Sequence, residues 1–268
     1  MSTINTIRRG GLRFYVRTDD GRRAVGVTSV ISMAPKPFLT HWAARVSAEY
    51  AVTHIDTVAT LARTDPGAAV DLIKGAHRRY TAGRAELGSA AHDLFERMIR
   101  GEHVGRVAMD LEPYRRHFAE FLDTVQPELI SAEDVMWSDT YGYAGSSDAI
   151  LRIQDAEHGS TVVIVDWKTS RDTYPDVALQ LAAYAHADVI VTPDGEESPM
   201  PEIQAGAVLH VTPERWALKP VRIDDEVFQI FLTLRRVVDW DRELSRQVIG
   251  KAIVSGGAVE TGTQRRAR

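Results

Sequence analysis

The chain has 268 residues, enough for one large domain or two small ones with an ample core, and its 44% apolar content is that of a soluble globular protein. It has no cysteine, which excludes disulfides, thiol nucleophiles, cysteine zinc sites and iron–sulfur clusters. A net charge of −5 confines any nucleic-acid surface to local patches. No window is long and apolar enough to span a membrane, and Met1-Ser-Thr-Ile-Asn-Thr-Ile-Arg-Arg9 lacks the apolar core of a signal peptide. No internal repeat or Gly-x-x-x-x-Gly-Lys loop occurs, so the expectation is a cytoplasmic protein with no membrane partner and no nucleotide cofactor.

In chain order, Leu12 to Val27 reads as a hairpin turning at Asp20-Gly21. Pro35 and Pro37 break the chain before a helical stretch from Phe38 to Ala62, with Trp42, Val46, Tyr50 and Val52 near one face. Thr64-Asp-Pro-Gly67 reads as a turn, and Ala68 to Ile99 as helix interrupted near Thr81-Ala-Gly83. A further helix is predicted from Pro113 to Val125. Glu128 to Asp139 alternates as a strand, Tyr141-Gly142-Tyr143 makes a turn, and two strands carrying Asp148 and Asp166 follow. Asp176 to Ile190 reads as a helix with Asp176 at its N-cap, Val191 to Pro201 as loop, and Ile203 to Val211 and Ala217 to Ile223 as strands. A last helix runs from Asp224 to Ile249, and the tail from Ser255 to Arg268 has the composition of a disordered segment. The expected architecture is a single mixed α/β (α+β) domain over residues 1–254. Its helical N-terminal half ends near residue 126, and a sheet core fills 127–254.

The most informative stretch is Gly145-Ser-Ser-Asp-Ala-Ile150 followed by Val162-Val-Ile-Val-Asp-Trp-Lys-Thr-Ser170. Thr161 to Val165 is almost wholly aliphatic, as in a strand buried on both faces, and such a strand should not finish in charge without a use for it. Asp166 and Lys168 are two apart and leave the strand on one face. With Asp155 to Gly159 as a hairpin loop centred on Glu157, Ile150 meets Ile164, Leu151 meets Val163, and Asp148 falls opposite Asp166. Directly opposed carboxylates, with Cβ atoms roughly 4.5–5.5 Å apart, repel unless a cation lies between them. Hard oxygen donors suit Mg²⁺ or Mn²⁺ better than zinc. The plainer alternative is a surface hairpin with a solvated Asp166–Lys168 pair, against which the apolar run argues.

Three further pieces could complete a site. Gly88-Ser-Ala-Ala-His92 gives a helix a small-residue surface for close packing and puts His92 one turn beyond Gly88. Imidazole is a ligand for Mn²⁺ and a tolerable one for Mg²⁺, though a helical histidine is more often structural. Gln180-Leu-Ala-Ala-Tyr184 places an amide and a phenol on one helical face, able to bond phosphate or orient a ligand, or simply to form the rim of an amphipathic helix. Glu133 can join two nearby acids through water or directly; the simpler expectation is a solvated strand residue. Arg78, Arg79 and Arg84, ahead of the Gly88 helix, are candidates for phosphate contacts, whereas ordinary solvated faces are the commoner fate of such runs.

Taken in order, Gly-x-x-x-His, Asp, Asp-x-Lys and Gln-x-x-x-Tyr resemble the PD-(D/E)xK nuclease superfamily in its RecB-like branch of phage exonucleases and CRISPR-associated nucleases. The resemblance spans Leu87 to Ala185, with a weaker likeness to phage members in Val27-Thr-Ser-Val-Ile31 and Lys36-Pro-Phe-Leu-Thr-His-Trp42. It implies a restriction-endonuclease-like core and metal bound by His92, Asp148, Asp166 and the Trp167 carbonyl. Lys168 would act on the attacking water, and Gln180 and Tyr184 would support the site and contact DNA. By the same resemblance the activity is that of a metal-dependent DNA exonuclease of phage recombination or replication, acting in a bacterial host cytoplasm with a single-strand annealing protein as a natural partner. A structure-specific endonuclease and a non-catalytic DNA-end binder are the alternatives. The cysteines of the iron–sulfur members are missing, so nothing tied to that cluster carries over.

Overall fold

The computed structural model describes residues 4–155, 159–254 and 256–257. The tip of the hairpin centred on Glu157, and the tail apart from 256–257, lie outside the described residues. The fold is mixed α/β, and among the described residues its strands form two sheets instead of one central sheet. The first has the order β1 (Ile4–Arg9), β2 (Leu12–Arg17), β3 (Arg23–Gly26), β6 (Tyr143–Ser146), β5 (Val135–Ser138), β9 (Val189–Val191), β10 (Glu197–Pro199). The second has the order β12 (Trp216–Val221), β11 (Ala205–Val211), β8 (Gly159–Lys168), β7 (Ala149–Asp155), β4 (Glu128–Ala132). β3–β6 and β8–β11 are parallel neighbours and the other pairs are antiparallel.

The split has a local cause. The strand expected over Glu128 to Asp139 breaks at Glu133, whose φ of 56° is left-handed, so β4 ends in the second sheet and β5 begins in the first. The chain returns from β6 to β7 through Ser147 and Asp148. The two crossings are tied together: Glu133 N–H donates to the carbonyls of Ser147 (3.1 Å) and Asp148 (3.3 Å), and Ser147 N–H to that of Asp134 (3.2 Å). A backbone that leaves a ladder must find such partners elsewhere, and here each crossing supplies the other.

The helices are α1 (Val27–Ile31), α2 (Pro37–Thr53), α3 (Ile55–Thr64), α4 (Pro66–Lys74), α5 (Ala76–Ile99), α6 (Glu112–Val125), α7 (Asp176–Ala185) and α8 (Asp225–Arg242). α5 and α6 cover one face of the second sheet, where Val163, Val165 and Trp167 of β8 pack with Phe95, Phe118 and Phe121. The Phe95 and Phe118 rings stack at 4.3 Å, and Trp167 meets Phe118 edge-on at 5.4 Å. Such pairs contribute about 0.5–1.5 kcal/mol each beyond the area they bury. The other face, with Ile150, Ile164 and Val208, shares a core with α7, α8 and residues of the first sheet such as Tyr143 and Met136. β8 is therefore buried on both faces over Val163 to Trp167, as its aliphatic run requires.

Several boundaries differ from expectation. β1 precedes the expected hairpin, and Val27 opens α1 instead of ending a strand. The helix expected from Phe38 to Ala62 is two, parted at His54. Asp65 of the expected turn caps α4, accepting from Ala68 N–H. The interruption falls at Gly75, while Gly83 stays helical with open space around it, so only its roughly 1 kcal/mol propensity cost remains. Pro175, not Asp176, is the N-cap of α7, and that helix ends at Ala185 because residues 189–191 are needed as β9 beside β5. β10 occupies part of the expected 191–201 loop, and α8 stops at Arg242.

Candidate metal centre

The site lies where the two crossings meet the end of β8. The β7–β8 register is the expected one, with Ile150 opposite Ile164 and Leu151 opposite Val163. The ladder ends at Ala149 opposite Val165, so Asp148 sits one residue beyond it, in the crossing, and not on a strand. There its Oδ2 accepts the Trp167 backbone N–H at 2.5 Å, and its Oδ1 lies 3.4 Å from His92 Nδ1. His92 reaches this point because α5 runs close to the chain after β8: a Cβ on Gly88 would stand 3.4 Å from Thr169 Oγ1. The small-residue helix surface does have a close neighbour.

Ligand atoms of His92, Glu133 and Asp148 all lie within 4.8 Å of one another. Glu133 is thus not a solvated strand residue. It is half-buried in the crossing, with Ser146 Oγ donating to its carbonyl (2.9 Å) and to Oε2 (3.2 Å). Burial, then the charges of Asp148 and Glu96, push its carboxyl up to about 7. The positive φ that puts it there had no signal in the sequence, since neither glycine nor asparagine marks the position. Burial alone would lower His92, but its contact with Asp148 outweighs this and raises it.

Asp166 is placed differently. It is 2% exposed, on the face of β8 toward α7, with Oδ1 accepting from Gln180 Nε2 at 3.0 Å. Its Oδ2 lies 2.5 Å from Lys168 Nζ, an ion pair without hydrogen-bond geometry and with no other partner among the described residues. Desolvation first, and the Asp148 charge second, raise the Asp166 carboxyl, while Lys168 opposes them. Asp166 is therefore beside the His92–Glu133–Asp148 group but outside it. Trp167 contributes its backbone N–H to Asp148, and its indole is buried, with no hydrogen-bond partner for Nε1 among the described residues.

Gln180 bridges Asp166 and the Tyr184 hydroxyl, the latter at 3.4 Å. Tyr184 is 2% exposed, its ring packed on the backbone of Gly145, where a Cβ would lie 2.7 Å away. Burial first of all drives its hydroxyl well above the ordinary value. The expected DNA contact of Tyr184 is ruled out by that burial; it buttresses Gln180 instead. Arg79 is likewise occupied, donating to the Leu72 carbonyl (2.6 Å) and lying 4.9 Å over the Tyr50 ring, which ties α5 to α4 and α2. Arg78 is exposed, and Arg84 lines a cleft beside Thr169 and Ser170.

A half-buried trio of one imidazole and two carboxylates, with like charges close enough to raise a carboxyl, has donors that could hold a divalent cation. No helix among the described residues is long and apolar enough to cross a membrane. In comparisons with known proteins, no family model matches the chain, and no curated protein matches it.

Proposed function

We propose that the chain is a divalent-metal-dependent DNA nuclease of the PD-(D/E)xK kind, working as an exonuclease on linear DNA. The observation that carries this reading is the convergence of His92, Glu133 and Asp148 beside a buried Asp166 paired with a half-buried Lys168 at the end of an otherwise apolar strand. Charges placed this way are costly for folding unless something compensates them.

The trio would hold Mg²⁺ or Mn²⁺, with Asp166 alongside and the Trp167 carbonyl as a further donor. The ion would neutralise phosphate charge and acidify a water, which phosphodiester hydrolysis at neutral pH needs. The chain's own residues do the positioning. Lys168, its side chain about a third exposed, can turn from Asp166 toward the attacking water or a phosphate oxygen. Gln180 fixes which way the Asp166 carboxylate faces, and Tyr184 fixes Gln180. The water oxygen adds to phosphorus, the bridging P–O bond breaks, and the proton given up by water passes to the carboxylate–lysine group while the leaving oxygen is protonated from solvent. A phage recombination setting, a bacterial cytoplasm and an annealing partner belong to this proposal as its wider context.

The test compares closed circular plasmid, the same plasmid linearised, and end-labelled duplex, each with Mg²⁺, Mn²⁺ or chelator. The expected outcome is metal-dependent loss of linear DNA with circles intact, and the label released first gives the polarity. Rapid cutting of circles makes the enzyme an endonuclease. No cutting of any substrate overturns the nuclease reading in favour of a non-catalytic end binder.

A further inference from the structure

A cleft of about 800 Å³ begins where the metal centre ends, between the middle of α5, the segment after Lys168 and the β11–β12 turn. Gly88, one turn before His92, and Thr169, directly after Lys168, both line it. Arg84, Arg171 and Arg215 converge on it from those three elements. All three are exposed, and none has a carboxylate partner among the described residues. Asp172 and Glu214 also line the cleft, so arginines outnumber acids there three to two in a chain whose overall charge is −5.

Further aromatic rings contact or closely follow the lining residues without themselves lining the cleft. Arg84 lies 4.9 Å over the Tyr80 ring, which meets Trp42 of α2 edge-on at 6.0 Å. Tyr174, just past Asp172, stacks on Phe38 at 6.5 Å, and both rings are more than half exposed. The helix α2 that carries Phe38 and Trp42 has no fully buried residue, so these rings are not spent on a core. A cationic groove with exposed aromatic rings beside it is the composition that binds single strands, phosphates to the groove and bases to the rings. The volume points the same way: it is the size of a small-ligand site, ~300–1,000 Å³, which takes a few nucleotides of one strand and not a duplex.

We propose that this cleft is a track for a single DNA strand. Arg84, Arg171 and Arg215 take successive phosphates, bases stack on Tyr174 and Tyr80, and the strand is led to Lys168. The inference rests on the nuclease reading and adds that the reacting strand is held unpaired.

The test measures binding in chelator, where cleavage is silent, using fluorescently labelled oligothymidylate and a blunt hairpin duplex of equal nucleotide number. Wild type should bind the single strand at least about tenfold more tightly than the duplex. The triple variant Arg84→Gln, Arg171→Gln, Arg215→Gln should lose about 100-fold for the single strand, and its log affinity against log salt should flatten by about 2, from ~0.7 per phosphate over three contacts. Tyr174→Ala should weaken binding about tenfold with the salt slope unchanged. Equal binding of duplex and single strand, or a triple variant with wild-type affinity and slope, overturns the track. Cleavage with Mn²⁺ is followed in parallel. Arginine-dependent strand binding without cleavage removes the nuclease and keeps the track, whereas cleavage with binding indifferent to the arginines does the reverse.

Discussion

Two groups of carboxylates stand side by side in this molecule, and they are treated in opposite ways. Asp166 is deep, pointed at a lysine and an amide, and close to neutral with its partners. Glu133 and Asp148 are half-buried in the crossings between sheets, face one another and one imidazole, and among the described residues have no lysine or arginine paired to them. On the proposed reading, the difference teaches where an exogenous charge would belong. Asp166 has a lysine and an amide of the chain beside it, while the crossing acids have only the His92 imidazole and each other, which on the proposed reading is where a cation would sit.

The strongest way to break this division is Asp166→Ala. On the proposed reading, cleavage of linear DNA falls below detection, while the melting temperature stays the same or rises, because a buried charge repelled by Asp148 is gone and Lys168 can turn to water. Wild-type cleavage by a folded Asp166→Ala protein sinks the site. Next, Lys168→Ala should cut turnover by about 10²–10³-fold and leave Mn²⁺ affinity, read by calorimetry, no weaker, since a nearby positive charge has been removed. A matched loss of Mn²⁺ binding would place the ion on the wrong side of the division. Glu133→Gln should weaken Mn²⁺ by about 10–100-fold; an unchanged affinity would return Glu133 to a purely structural role.

The smallest effect concerns pH in the metal-free protein. A carboxyl raised in the folded state stabilises the fold fully below its unfolded value, and that contribution disappears as pH rises through the folded value. For Glu133, raised from 4.5 to about 7, stability in chelator should therefore fall between those limits. A drop of a few degrees in melting temperature is the expected size, flattened in Glu133→Gln and reversed by Mn²⁺. A melting temperature that rises with pH across this window would show the crossing charges to be compensated already.

The parts legible in the sequence were those governed by period and polarity. The aliphatic run of β8 announced a strand buried on both faces, and the two-residue repeat put Asp166 and Lys168 on one side. The same repeat paired Ile150 with Ile164 and so brought Asp148 to the end of that strand. What stayed hidden depended on where backbone changes partners. Glu133 and Asp148 lie in crossings between sheets, and sheet membership is decided by distant pairings such as β3 with β6 and β5 with β9. Likewise Gly83 looked like the helix breaker and Gly75 is, because a lone glycine in an exposed helix only costs propensity, whereas Gly75 ends α4 and begins α5. Tyr184 had the right spacing for a ligand contact, but spacing reports a face and not the depth at which that face lies.

The paired crossings have one more consequence, for how long the protein lasts. Glu133 and Asp148 sit on two of the connections between the sheets, β4 to β5 and β6 to β7, and His92 on the helix packed over the second sheet. Anything that bridges these three side chains ties together regions that can otherwise open one at a time. On the proposed reading the working site is also a clasp: occupied, it makes the two sheets unfold together, and stripped, it lets the joint between them loosen first. If that reading holds, survival of the chain against proteases tracks the supply of divalent ions, so a shortage that would stop catalysis would also clear the protein away.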